Sequence, residues 1–79
     1  MINQRIEGLR SYCLERLNSL NYLEKHVEYQ PAQKLRLKTK QNILNHLIDY
    51  KGYANFLNKE QLNEYIESRT DIILGFYED

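Results

Sequence analysis

Seven side chains, Ile2, Ile6, Leu9, Cys13, Leu20, Leu23 and Val27, recur at spacings of three, four and seven residues. They occupy the a and d positions of a heptad, and only Arg16 interrupts the pattern. A strand reverses face at every residue, so spacing of this kind cannot keep one side apolar except in a helix. Leu14 and Leu17 lie beside the seam and widen it beyond a two-stranded stripe, which predicts a helix over about 2–28 that buries a broad face in a bundle. Gly8 costs that helix about 1 kcal/mol of propensity, which so long a pattern absorbs. Pro31 is expected to end it, because the residue before a proline avoids the helical region.

A second apolar rhythm runs through Ile43, Leu47, Tyr50, Ala54 and Leu57, thickened by Leu44, Ile48 and Phe56. A third holds Leu62, Ile66, Ile73 and Phe76 and is broken by Arg69. The two are out of phase: a repeat carried on from Leu57 would place apolar residues where the chain has Gln61 and Glu64. A break near Asn58 follows. The run NKEQ at 58–61 has the form of an N-terminal cap, with Asn58 accepting from first-turn amides and Gln61 returning a bond.

Upstream, the run KLRLKTK at 34–40 sets Lys34, Arg36, Lys38 and Lys40 at alternate positions. Period two alone suggests a strand, but a lone strand would leave its backbone groups unpaired and no second strand is evident. Lys, Leu, Gln and Arg favour helices, so one helix over about 33–57 is expected. The alternative is an extended connection with a helix starting near Thr39. Cations at a helix N-terminus oppose its dipole, and Glu28, the acidic C-terminal block or a ligand should compensate them. The expected fold is therefore all-α: one domain, 1–79, of about three helices (2–28, 33–57 and 59–76). So short a chain buries only about 60% of its unfolded surface, so completion of the bundle by self-association, as a homodimer or homotetramer, is expected.

The formal net charge is zero, yet it is unevenly laid out. Residues 31–51 carry five basic side chains against Asp49, for +4; residues 52–79 carry Lys59 and Arg69 against six acidic ones, for −4. Opposite blocks suggest internal or head-to-tail pairing as readily as an external polyanion. The row Glu60, Glu64, Glu67 and Asp71 reads as a solvated helix face. No apolar run approaches the roughly 20 residues of a membrane span, and residues 1–10 lack the pattern of a secretory signal. One cysteine, Cys13, forms neither an internal disulfide nor a cysteine metal cluster. A cytoplasmic protein without a membrane partner is expected.

Catalytic chemistry finds little support. His26 and His46 stand on different predicted helices, and neither belongs to a zinc or carboxylate-bridged spacing. An arrangement of Arg16 or Arg36 with either histidine, acting on RNA, is selected by no spacing. There is no glycine-rich phosphate loop and no serine nucleophile elbow. Cys13 sits at a core position and reads as a small buried hydrophobe. No catalytic residue, cofactor or metal ligand is therefore assigned.

Binding is better supported. Arg16 and Arg69 stand where an apolar residue would complete a stripe, so they either snorkel or pair with carboxylates, as Arg16 would with Glu64 or Glu67. Seven tyrosines against two phenylalanines and no tryptophan favour half-buried faces and interfaces. The run YKGY at 50–53 places Tyr50 in the core rhythm and Tyr53 to the side. Candidate protein-interface residues are Ile6, Leu9, Cys13, Arg16, Leu17, Leu20, Tyr50, Tyr53 and Arg69, with two copies packing their first helices antiparallel. The expected function is a non-catalytic, regulatory protein–protein interaction protein that binds itself and then another protein. The alternative is a nucleic-acid-binding module contacting phosphates through Lys34, Arg36, Lys38 and Lys40, with Gln33, Gln41, Asn42 and Asn45 nearby.

Overall fold

A computed structural model describes residues 3–76; Met1, Ile2, Tyr77, Glu78 and Asp79 lie outside the described residues. It is all-α, with three helices and a short 3-10 turn and no strand among the described residues. Helix α1 spans Gln4–His26, α2 Pro31–Asp49 and α3 Lys59–Gly75, and the 3-10 turn occupies Gly52–Asn55.

Each boundary has a local cause. Asn3 caps α1, its side-chain oxygen accepting from the amides of Arg5 at 3.1 Å and Ile6 at 3.3 Å. Val27 leaves the helix in an extended conformation, so α1 stops four residues before the proline. Pro31 does not terminate α1 as expected. It is the first residue of α2, where its missing N–H costs nothing and its fixed φ suits the helix. The Gln30 amide donates to the Gln33 side chain at 3.2 Å and closes the entry. The 34–40 run is thus helical throughout, and neither the extended connection nor a start near Thr39 holds.

The expected continuation of this helix to residue 57 is also corrected. Lys51 takes a left-handed conformation, φ 54° and ψ 29°, and the chain turns there. Gly52 follows so close to Leu47 that a Cβ on it would lie 2.9 Å from the leucine side chain. The turn exchanges the roles of Tyr50 and Tyr53, while Ala54 and Phe56 still pack against the core. Tyr50, placed in the core by the uninterrupted rhythm, is 75% exposed, and Tyr53 is 5% exposed. Leu57, expected on the same stripe, faces solvent as well.

The break before α3 falls where the sequence puts it. Asn58 Oδ1 accepts from the Gln61 amide at 2.8 Å, and Gln61 Oε1 accepts in return from Leu57 N at 2.9 Å, one residue before the expected Asn58.

Helix α2 is the centre of the molecule. Helices α1 and α3 each pack along it and touch one another only narrowly. Leu9 and Cys13 of α1 meet Ile43, Leu44 and Leu47 of α2 and Leu62 and Ile66 of α3, and Tyr53 closes one end. Full burial of Leu44, Leu62 and Ile66 contributes about 1.5–3 kcal/mol each. Two buried threonines satisfy themselves locally: Thr39 and Thr70 donate to the carbonyls of Leu35 and Ile66 at 2.8 and 2.6 Å. Buried Gln41 donates to Asn21 at 3.0 Å. Because α1 covers only one side of the α2–α3 pair, the other side stays open.

Candidate interaction surfaces

The basic run is divided by the helix it lies on. At about 100° per residue, positions 34 and 38 share one face and 36 and 40 the face nearly opposite. Arg36 and Lys40 point towards α3. Arg36 donates to Asp71 Oδ1 at 2.8 Å and Glu67 Oε2 at 2.9 Å, and Lys40 Nζ meets Glu67 Oε1 at 2.7 Å. Arg16 of α1 reaches the same carboxylate at 3.8 Å, while its buried Nε has no partner. Lys38 turns the other way and pairs with Glu24 of α1. The acidic C-terminal helix is therefore the main compensation for the cations at the start of α2, as the charge layout allows.

These pairs shift the carboxyl groups in one direction. The hydrogen bond from Lys40, with Arg36 behind it, holds Glu67 below the usual carboxylate range against the opposing effect of burial. The hydrogen bond from Lys38 lowers Glu24. Asp71 and then Glu67 raise Arg36. Glu67, Asp71 and their cationic partners remain partly exposed, so each of these pairs contributes at most about 1 kcal/mol. Of the four basic candidates, only Lys34 makes no ion pair among the described residues.

The candidate interface residues separate into two groups. Leu9, Cys13 and Tyr53 lie in the chain's own core and present no surface to a second molecule. Ile6, Leu17 and Leu20 are half-buried against that core, and Arg16 is half-buried beside Glu67. The apolar seam of α1 thus faces α2, and its outward face carries Glu7, Ser11, Glu15, Asn18 and Tyr22. Tyr50 and Arg69 do reach solvent.

Helix α3 holds what the stripe reading missed. Its core positions are Leu62, Ile66, Thr70 and Ile73, and Phe76 does not belong with them. Beside that row run Tyr65, Arg69, Ile72 and Phe76, all exposed, with Ile72 at 53% and Phe76 at 81%. Tyr65 and Arg69 line a groove of about 380 Å³ between α2 and α3 to which α1 contributes no residue, while Ile72 and Phe76 lie outside its lining. Leu35, Lys38, Thr39, Asn42 and His46 stand on its α2 wall with Ile43 and Leu47; Tyr65, Arg69 and Ile73 form its α3 wall. No carboxylate lines it, and Arg69 makes no ion pair among the described residues.

His26 stacks on Tyr22 at 4.3 Å and His46 on Tyr50 at 4.7 Å, on separate helices. Among the described residues no three His, Cys, Asp or Glu side chains converge on a metal-sized site. Burial pushes the Cys13 thiol up to about 11, so the thiolate form is scarce near neutral pH. No described helix is long and apolar enough to cross a membrane. No family model, curated protein or solved structure matches this chain.

Proposed function

We propose that this chain is a non-catalytic helical interaction protein that works as an oligomer, binding first a second copy of itself and then a regulatory target. The observation that supports this is the open side of the α2–α3 pair, where Leu35 and Tyr65 remain exposed along the groove and Ile72 and Phe76 continue the exposed row of α3. A helical bundle ordinarily covers such a side with a further helix, and this chain has none among its described residues to offer. The extended shape, 47 × 29 × 20 Å, also leaves more surface per residue than a compact chain of this length. A cytoplasmic setting belongs to the same reading, since a lone buried thiol needs no oxidising compartment.

A nucleic-acid partner has weaker support. Arg36, Lys38 and Lys40 are each held by a carboxylate, and they do not form one continuous basic strip. Light scattering after size exclusion, over a dilution series at two salt concentrations, tests the leading reading. A dimer or tetramer that dissociates on dilution is expected. A folded monomer at every concentration overturns self-association.

A further inference from the structure

The exposed row on α3 is spaced four, three and four residues apart: Tyr65, Arg69, Ile72, Phe76. That spacing reads the same from either end. A row with this property is complementary to itself when two copies of the helix lie antiparallel. We propose that a second copy of the chain covers this row by antiparallel packing of α3 on α3, with a two-fold axis crossing the helix between Arg69 and Ile72. The inference rests on the reading that the chain binds itself and names the surface and geometry it uses.

In this arrangement Tyr65 meets the partner's Phe76, and Arg69 meets the partner's Ile72, each contact occurring twice. Such reciprocity is what an isologous two-fold interface requires. Aromatic residues close both ends of the row, and an aromatic pair adds attraction beyond the area it buries. Phe76 keeps helical dihedrals, φ −73° and ψ −16°, so the row continues in register to its last member.

Arg69 selects antiparallel over parallel packing. Parallel helices would bring each residue against its own counterpart and stack two guanidinium groups without a carboxylate between them. Antiparallel helices offset the two arginines by three residues, about 4.5 Å along the axis, and let their stems lie over apolar neighbours with the charges at the rim. The exposed parts of Leu35, Tyr65, Ile72 and Phe76 amount to roughly 400 Å² per copy, about half of the ~800 Å² each partner gives to a standard interface. Arg69, Asn42 and His46, all exposed around the groove, add to that surface.

The full chain with Ile72→Cys, treated with a short bismaleimide, tests the geometry, with Ser19→Cys on the outward face of α1 as the control. Circular dichroism establishes that each variant keeps its helices, and Arg69→Cys replaces Ile72→Cys if the latter does not. The expected result is a covalent dimer through position 72 or 69 in at least tenfold excess over position 19. Arg69→Leu is expected to tighten the dimer by about tenfold, because it removes the flanking like charges and completes the row. Crosslinking through position 19 alone, or a weaker dimer with Arg69→Leu, overturns this interface while leaving self-association standing. A wild-type monomer at all concentrations overturns both.

Discussion

Lys40 Nζ lies 2.7 Å from Glu67 Oε1. Arg36 holds the other oxygen of the same carboxylate, and Arg16 approaches from α1, so one side chain of α3 ties together all three helices. Asp71 adds a second acid to the group through Arg36.

Glu67→Gln is therefore expected to cost about 1–2 kcal/mol near neutral pH, more than one exposed pair and less than a buried one. The effect depends on pH with a definite sign. A carboxyl whose folded-state pKa is depressed adds stability that is fully present above its unfolded value and is lost as the pH falls through the folded value. Glu67 is of this kind, with an ordinary value of 4.5. The difference between wild type and Glu67→Gln in urea unfolding should be constant above that value and shrink below it. A gap that persists unchanged into strong acid would sink the assignment.

The turn at Lys51 makes a sharper claim, because it exchanges the roles of two tyrosines three residues apart. Tyr53→Ala should cost about 3 kcal/mol or more, in the range of other buried aromatics. Tyr50→Ala should stay within about 0.5 kcal/mol, as an exposed position does. A continuous helix through residue 57 predicts the opposite order, so chemical denaturation of the pair decides between the two registers.

That pair also shows how far the sequence could be read. Periodicity located three helices and the break at Asn58, because each buries a recurring face and the last is capped by a side chain with a recognisable role. The left-handed residue was illegible: Lys51 carries no mark of it, and Tyr50, Ala54 and Leu57 continue the apolar rhythm past the place where the helix ends. On α3 the core position between Ile66 and Ile73 is Thr70, whose hydroxyl is satisfied within its own helix. A polar residue there hid the true core row, and Phe76 was drawn into it. The exposed row of Tyr65, Arg69, Ile72 and Phe76 was present in the spacing all along, but only burial distinguishes it from a core stripe. The basic run was legible as charge; its division between Glu67 and Glu24 needed the fold.

Lys51→Gly should stabilise the protein by about 0.5–1 kcal/mol. A left-handed conformation costs an ordinary L-residue roughly 1–2 kcal/mol, which glycine avoids, while glycine's greater freedom in the unfolded chain returns part of the gain. Thermal unfolding monitored by circular dichroism measures it. A loss of stability would mean that the turn at residue 51 is not left-handed.

Cys13 provides a probe of the core that needs no substitution. The side chain is fully buried between α1, α2 and α3, and burial raises its thiol to about 11. A thiol reagent must then wait for the helices to separate. At about 0.05–0.15 kcal/mol per residue, a chain of this length opens globally with a free energy of at least ~4 kcal/mol, so labelling in buffer should be slower than for an exposed cysteine by on the order of a thousandfold. The rate should rise with urea along the unfolding transition and reach the free-thiol rate beyond it. If self-association stabilises the folded chain, dilution should also speed labelling, because fewer copies are then held closed by a partner. Rapid modification of the folded protein in buffer would show instead that α1 does not seal against α2 at Leu9 and Cys13.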